Sequence, residues 1–304
     1  MFTLAHLSDL HVTPLRGASP GSFLNKRFYG LLSWTLRRGR LHRTHVLEAL
    51  IHDLAARAPD HVAVTGDLTN VALEQEFVAV ARWLRRWGDP RWVSVIPGNH
   101  DAYVPVPPER SWAHLGTFLA SDPDAAVPEP FPTVRVRGEV ALVGVSTAVP
   151  TPPFRATGTV GAPQLGRLEA LLGCLGEREL CRIVMIHHPP TSEGLKPRRE
   201  LLDAEALCAV LARAGAELVI HGHSHQRSVT AVAGPRGPIP VVGVRSGSHV
   251  GHVERRRAQY HLYRIERRGP SGTRNGCPPF RIRLAVRGWS ERVGRFVAEG
   301  TELL

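Results

Sequence analysis

Five apolar runs in this chain each end in a cluster of Asp, Asn or His side chains that could bind metal ions. The clusters are Ser8-Asp9-Leu10-His11, Gly66-Asp67, Gly98-Asn99-His100-Asp101, His187-His188-Pro189 and His221-Gly222-His223-Ser224-His225. Each follows a run with β-strand composition, at residues 2–7, 61–65, 92–97, 182–186 and 217–220. In open α/β sheets, ligands bind outside the carboxyl ends of the strands. The five junctions therefore predict one convergent site.

The donor atoms in these clusters suit a pair of divalent ions. The candidate ligands are oxygen and imidazole donors without a thiolate: Asp9, His11, Asp67, Asn99, His187, His223 and His225. A zinc ion normally takes three or four ligands, so this larger set indicates two ions that share a bridging carboxylate. Mixed nitrogen and oxygen ligation fits Mn, Fe, Zn, Co or Ni better than Mg or Ca. Two ions about 3.5–4 Å apart activate water and hold the oxygens of an in-line phosphoryl displacement.

Each cluster also has a purely structural interpretation. Asp9 could be a turn residue, Gly66-Asp67 a strand-to-helix turn, and the histidines at 223 and 225 a surface pair. All five clusters would need such an interpretation together, so we favour the metal site. His188 could replace His187 as a ligand, and His221 fits a core position or one behind the ligands. The other histidines have no ligand-like grouping, and we expect them to be solvated or packed: His6, His42, His45, His52, His249, His252 and His261.

The elements between the clusters indicate how the clusters are brought together. Helical patterns at residues 44–57 and 72–87 separate the first three strands, which predicts parallel strands joined by right-handed crossovers. Further helices are expected at residues 163–175 and 203–214. Strand candidates from residue 228 onward lack intervening helices, which predicts antiparallel strands that close a second sheet. One domain with two packed sheets flanked by helices fits this order.

Bulk composition limits the possible partners. The chain has 304 residues and a net charge of +11, and only two of its basic residues are lysines, Lys26 and Lys196. This charge fits an anionic partner, or merely an arginine-rich composition from a GC-rich genome. No nucleic-acid-binding module is identified. The cysteines form no Cys-x-x-Cys pair, which suits a cytoplasmic protein with reduced thiols: Cys174, Cys181, Cys208 and Cys277. No signal peptide and no membrane-spanning run is predicted.

As a set, the motifs Asp9-x-His11, Gly66-Asp67, Gly98-Asn99-His100-Asp101, His187-His188-Pro189 and Gly222-His223-x-His225 resemble those of the calcineurin-like metallophosphoesterases. The resemblance implies a four-layer α/β/β/α sandwich with two mixed sheets. It implies a domain at residues 1–268 with a rim insertion at 13–43. Residues 269–304 are then a C-terminal extension, for which we expect a packed strand and a short helix.

The resemblance also implies roles for individual residues. Asp9, His11 and His225 would bind the first of two divalent ions (Mn, Fe, Zn or a mixed pair), and Asn99, His187 and His223 the second. Asp67 would bridge the two ions. His100 would contact the phosphate and protonate the leaving group, and Asp101 would orient His100. The nucleophile would be a hydroxide bound to the metals.

The branch of the family is indicated by two motifs. His187-His188-Pro189-Pro190 and Gly66-Asp67-Leu68-Thr69 resemble the bacterial class III cyclic-nucleotide phosphodiesterases. The Ser/Thr protein phosphatases carry the pattern Gly-Asp-x-x-Asp-Arg-Gly, from which residues 66–72 depart, since they read Gly66-Asp67-Leu68-Thr69-Asn70-Val71-Ala72. A nuclease of the same superfamily would need a DNA-binding cap, and none is identified. The resemblance implies hydrolysis of a cyclic nucleotide or another small phosphodiester. A phosphomonoesterase is an alternative, and the intact ligand set argues against a non-catalytic scaffold.

The insertion leaves a second question open. Residues 23–40, from Phe23 to Arg40, are apolar, aromatic and basic, with Leu24, Phe28, Leu31 and Thr35 on one helical face, widened by Leu32 and Leu36. This pattern is typical of a helix at a membrane interface. It could dock on an anionic membrane and feed a lipid-linked phosphodiester or pyrophosphate to the metals. Alternatively, it packs as a cap on its own domain or on a partner subunit. The oligomeric state is open.

Overall fold

The structure is a computed structural model that describes residues 1–15, 18–125, 130–191, 194–251, 253–269 and 279–304. His252 and Cys277, named above, lie outside the described residues. The strands are β1 (Phe2–Leu7), β2 (His61–Thr65), β3 (Val93–Ile96), β4 (Thr133–Arg137), β5 (Val140–Gly144), β6 (Cys181–Met185), β7 (Leu218–His221), β8 (Ser228–Val232), β9 (Ile239–Gly243), β10 (Gln259–Arg267), β11 (Phe280–Ser290) and β12 (Arg295–Leu303). The α-helices are α1 (Arg27–Ser33), α2 (Gly39–Leu41), α3 (Thr44–Arg57), α4 (Glu74–Trp87), α5 (Ala162–Glu177) and α6 (Ala204–Ala214).

Two mixed sheets of six strands each form the centre of the molecule. The first has the order β12-β11-β10-β1-β2-β3, and the second has the order β4-β5-β6-β7-β9-β8. Strands β1, β2 and β3 are parallel to one another, as are β5, β6, β7 and β9. The loops after β1, β2 and β3 therefore leave the first sheet at one edge, and those after β6 and β7 leave the second sheet together.

Three apolar interfaces define four layers. Leu50 of α3 and Phe77 of α4 pack on one face of the first sheet. The opposite face packs on the second sheet through side chains such as Leu4 and Ile183. The outer face of the second sheet is covered by α5 and α6, for example by Leu168. Alternate residues of each central strand serve different interfaces, as a strand period of two requires. The predicted α/β/β/α sandwich is confirmed.

Two expectations about the C-terminal half are wrong. Strand β10 does not close the second sheet, because it pairs antiparallel with β1 of the first sheet, with Phe2 opposite Ile265. The extension ends in a second strand rather than a short helix. Strand β12 forms a hairpin with β11 through a turn in which Gly294 has a φ of +61°. Local pattern does not specify which distant strand a segment will pair with, so these pairings are set by the tertiary structure.

Smaller differences follow from backbone geometry. Helix α4 begins at Glu74 rather than at residue 72, because Ala72 has a φ of +57°, outside the right-handed helical region. Residues 108–118 form a series of 3-10 turns. No helix in the described part of the chain combines the length and the apolar composition that crossing a bilayer requires.

Candidate metal centre

The five predicted clusters meet at one place, because the loops after the strands are hydrogen-bonded to each other. The backbone N–H of Asp9 donates to the carbonyl of Gly66 at 3.0 Å, and that of His11 to Asp67 at 3.1 Å. Glycine permits the closest approach. A Cβ atom at Gly98 would lie 2.4 Å from both the backbone nitrogen and Oδ1 of Asp67. The loops after β1, β2 and β3 are thus packed backbone against backbone.

Six of the seven candidate ligands fall into two groups that share Asp67. Asp9, His11, Asp67 and His225 each place a donor atom within 4.8 Å of the others, and Asp67, His187 and His223 do the same. The seventh candidate, Asn99, adjoins the second group, with Oδ1 at 3.3 Å from Nε2 of His187. Two donor groups joined by one carboxylate are the arrangement expected for two ions with a bridging ligand.

The backbone at these residues is unusual. Nine non-glycine residues in the described ranges have positive φ, and five of them are candidate ligands: Asp9 (53°), His11 (46°), Asp67 (52°), His223 (64°) and His225 (53°). Such conformations cost of the order of 1–3 kcal/mol each and concentrate at functional sites. Their convergence supports a functional role for this site, since ordinary turns would place glycine there.

Backbone carbonyls fix which ring nitrogen of three histidines faces the site. A carbonyl oxygen only accepts, so the nitrogen beside it carries the proton. Nδ1 of His187 donates to Thr65 at 2.7 Å, and Nδ1 of His11 to Thr69 at 3.0 Å, so the lone pair of each neutral ring is on Nε2, which faces the site. His223 is held the other way, since its Nε2 donates to the carbonyl of Arg199 at 2.8 Å and Nδ1 is free.

The electrostatics of the site favour positive charge between the carboxylates. Burial opposes the charge of Asp67, but His187, His100 and His11 hold its pKa well below the usual range. Burial also favours neutral His187, yet the carboxylates of Asp67 and Asp9 outweigh it and raise the pKa of His187 to about 9. The buried carboxylates therefore draw a proton onto a candidate ligand, and a divalent cation would supply the same compensation.

The residues present fit a pair of divalent cations. Oδ1 of Asp9 is buried and accepts no hydrogen bond among the described residues, although Nε2 of His225 lies 3.1 Å away. Two lone-pair donors that face each other without a hydrogen bond are suited to a shared cation. Burial lowers the pKa values of His11 and His223 well below the usual range, so both rings are neutral near pH 7, as metal ligation requires.

His100 lies beside the first donor group. Its ring centroid is 4.9 Å from that of His11, and it stacks on Tyr103 at 5.5 Å. Its backbone N–H donates to Oδ1 of Asp67 at 2.7 Å, and its Nδ1 donates to the carbonyl of Asn70 at 2.5 Å. Nε2 therefore faces the site. Burial and the charge of Arg38 lower the pKa of His100 to about 4.

The structure corrects the expected role of Asp101. Its carboxylate does not orient the His100 ring, because it accepts backbone N–H groups of Gly98 (2.9 Å), Leu68 (3.1 Å) and Thr69 (2.8 Å). Asp101 thus fastens the loop after β3 to the loop after β2. The motif could not show this role, because all three partners are backbone N–H groups and two of them, at Leu68 and Thr69, lie more than thirty residues earlier in the chain.

Three other histidines, His188, His221 and His42, take different positions relative to the two donor groups. His188 is not an alternative ligand, since Thr147 (2.7 Å) and the carbonyl of Ala156 (3.1 Å) occupy its two nitrogens. His221 is buried and outside both donor groups, which matches one of the two positions considered for it. His42 was wrongly set aside, because it joins His11 and His225 in a third possible ligand group, with its ring centroid 4.7 Å from that of His11.

Arg38 is a site residue that the motifs did not reveal. Its guanidinium lies with Nη1 at 3.3 Å from Nε2 of His100 and with Nη2 at 3.2 Å from Nε2 of His11, so both ring nitrogens can accept from it. No carboxylate among the described residues forms an ion pair with it. Both Arg38 and His42 come from the end of the insertion, whose contact with the site is a long-range feature. The only signal for Arg38 in the sequence was a basic residue within a segment, residues 10–47, that contains no Asp or Glu.

Comparisons with known proteins agree with this geometry. A family model described as calcineurin-like phosphoesterase matches residues 2–227. A probable cyclic nucleotide phosphodiesterase of Synechococcus sp. is 28% identical over 181 residues, or 59% of this chain and 62% of that protein. The match therefore spans less than two thirds of that relative.

Solved structures show the same fold. A dimetal phosphatase from Danio rerio superposes with a TM-score of 0.63 and 13% identity, over 98% of each chain. A purple acid phosphatase from yellow lupin gives a TM-score of 0.56 and 12% identity, over 98% of this chain and 52% of the other. At this level of identity the likeness concerns the fold alone.

Proposed function

Because the chain belongs to the calcineurin-like phosphoesterase family, we propose that it is a two-metal hydrolase of small phosphodiesters. The observation that carries the proposal is the pair of buried donor groups that share Asp67. Asp9, His11 and His225 hold the first ion in this proposal, and Asn99, His187 and His223 hold the second. The ions, when bound, supply a hydroxide nucleophile near neutral pH and polarise the phosphoryl oxygens.

The chain's own residues complete the site around the substrate. We assign Arg38 to the phosphoryl group, because its half-buried guanidinium has no carboxylate partner in the described residues and its planar fork matches two phosphate oxygens. In this proposal, His100 protonates the leaving oxygen. Nδ1 is engaged with Asn70, so Nε2 takes and gives the proton. A bound anion favours the protonated ring, since it offsets the burial and the Arg38 charge that lower the pKa of His100.

Two resemblances favour a phosphodiester as the substrate. The motifs after β2 and β6 resemble the bacterial cyclic-nucleotide phosphodiesterases, and the matched Synechococcus protein carries that description. We therefore propose a diester, with a cyclic nucleotide as one candidate, and keep phosphomonoester hydrolysis as the alternative outcome.

Steady-state kinetics on two chromogenic substrates test the proposal. The protein is reconstituted with Mn²⁺ and assayed with bis-p-nitrophenyl phosphate and with p-nitrophenyl phosphate. We expect a higher kcat/KM for the diester and loss of that activity in His225→Ala, which removes one ligand of the first donor group. A preference for the monoester would overturn the substrate class, and diester turnover unaffected by His225→Ala would overturn the site.

A further inference from the structure

The insertion places a helix directly over the candidate metal centre. Helix α1, a π-helical turn at Trp34–Arg38 and the short helix α2 form one continuous segment. Gly30, Trp34 and Arg38, which are four residues apart, face inward. A Cβ at Gly30 would touch Val71 and the Tyr103 ring, and Trp34 stacks on His42 with 6.1 Å between ring centroids. The inner side of this segment therefore belongs to the site.

The outer side carries an apolar stripe, which we define as Leu24, Phe28, Leu32 and Leu36. These side chains are 88%, 54%, 46% and 67% exposed. A wider π-helical turn keeps residues spaced by four close to one line, so the stripe continues along the whole segment. Tyr29 and Phe154, whose rings lie 4.9 Å apart, extend it on one side. Contiguous exposed apolar surface of this kind marks an interaction site.

Side-chain contacts hold the helix in this orientation. Arg27 donates from Nε to the carbonyl of Val71 at 2.9 Å, and Lys26 donates from Nζ to Oγ1 of Thr151 at 2.9 Å. The Lys26 ammonium also lies 4.4 Å from the centre of the Tyr103 ring. The basic residues at the start of α1 thus point into the protein, and the stripe faces solvent because its helix is fastened on the other side.

Charge complementarity identifies the partner. Residues 10–47 contain seven lysines and arginines and no Asp or Glu. Arg37 and Arg40, one and four residues after Leu36, are exposed, and no described carboxylate pairs with their side chains. A second copy of this chain would bring the same positive charge against itself. An apolar stripe bordered by unpaired arginines matches the headgroups and acyl chains of an anionic bilayer.

We propose that the stripe docks the protein on an anionic lipid bilayer. This agrees with the membrane interpretation of residues 23–40 but shifts the centre of the face, because Leu31 is partly buried, whereas Leu32 and Leu36, which only widened the predicted face, are exposed. The docked orientation sets the candidate metal centre immediately behind the membrane-facing helix. If the proposed function holds, a phosphodiester headgroup at the bilayer surface is the matching substrate class.

Co-sedimentation with vesicles tests the docking surface. Vesicles of equal parts phosphatidylglycerol and phosphatidylcholine are compared with vesicles of phosphatidylcholine alone. We expect the triple variant Phe28→Ser, Leu32→Ser, Leu36→Ser to bind the anionic vesicles at least about tenfold more weakly than the unmodified protein. Arg37→Gln with Arg40→Gln should weaken binding by about fivefold per arginine. The matched control replaces three exposed apolar residues elsewhere, Trp92→Ser, Val229→Ser and Val293→Ser, and should bind unchanged.

Two further readouts separate the possible failures. Hydrolysis of soluble bis-p-nitrophenyl phosphate should be the same in the stripe triple variant and the unmodified protein, which also reports correct folding. Absence of soluble turnover in both would overturn the proposed function and leave the docking test intact. Vesicle binding that is absent, or that the triple variant retains, would overturn the docking proposal. So would a dimer in size-exclusion chromatography that the triple variant dissociates, because it would assign the stripe to a second copy.

Discussion

Replacing Arg38 tests whether the insertion supplies part of the catalytic site. The guanidinium lies 3.3 Å from Nε2 of His100 and 3.2 Å from Nε2 of His11, beside the first donor group, and we propose that it binds a phosphoryl oxygen there. A charge-assisted hydrogen bond contributes about 1.5–3 kcal/mol. Loss of one or two of them in Arg38→Ala should cost about 2–4 kcal/mol of transition-state stabilisation, or about 30- to 1,000-fold in kcat/KM.

The assay measures kcat/KM for bis-p-nitrophenyl phosphate together with the inhibition constant of inorganic phosphate. Both should change in Arg38→Ala, because the same side chain would hold the anion in each complex. Arg38→Lys should recover part of the loss, since it restores the charge but not the two-pronged geometry. The neighbouring Arg37→Ala is the control on soluble substrate, because Arg37 is exposed on the outer side of the segment.

Two results would refute this reasoning. A kcat/KM within threefold of the unmodified protein in Arg38→Ala would show that the guanidinium does not touch the reacting phosphoryl group. A lower metal content in Arg38→Ala, with phosphate inhibition unchanged, would instead mean that Arg38 holds His11 in place. The metal content of each variant is therefore measured alongside the kinetics.

Three further predictions concern stability and site assembly. Gly98→Ala should lose bound metal and at least about 1–3 kcal/mol of unfolding free energy, because its Cβ would lie 2.4 Å from Asp67; equal metal content and equal urea midpoints would contradict the close packing. Asp101→Asn should lower unfolding free energy by about 1.5–3 kcal/mol, because an amide nitrogen cannot accept one of the three backbone N–H groups; loss of rate with unchanged stability would favour the original orienting role. Burial lowers the pKa of His61 to about 3, whereas an exposed histidine has a pKa of about 6.5. Below about pH 6.5 the unfolded chain therefore binds a proton that the folded protein does not, and the free energy of unfolding falls as the pH drops. By pH 5 this contribution is about 2 kcal/mol, so His61→Gln, which can still bond to Ser94, should lose that much less stability between pH 7 and pH 5 in urea titrations; identical losses would show that His61 does not stay neutral in the folded state.

The residues of the candidate centre could be predicted because each follows a strand directly. The end of a parallel strand determines where Asp67 or His187 emerges, and a short apolar run of β-type composition predicts the strand itself. The left-handed conformations of Asp9, His11 and His225 were not visible in the sequence, since these are not the glycines that usually adopt them. They follow from tertiary contacts such as the Asp9 hydrogen bond to Gly66.

Long-range contacts account for what the sequence did not predict. The sequence of β10 has a β-strand pattern that would allow it to pair with a strand of either sheet. Its pairing with β1 is apparent only in the folded protein. His42 and Arg38 lack ligand-like spacing because they approach His11 through the fold of the insertion. Asp101 was given a role by its place beside His100, whereas its actual partners are set by how two loops pack.

Metal stoichiometry tests the central claim most directly. Elemental analysis is done on protein that has been stripped with chelator, reloaded with Mn²⁺ and freed of excess metal. The account predicts two ions per chain in the unmodified protein, one in His225→Ala or His223→Ala, and fewer than one in Asp67→Asn, whose carboxylate serves both donor groups. A single ion in the unmodified protein, or two ions retained in Asp67→Asn, would contradict a centre bridged by Asp67.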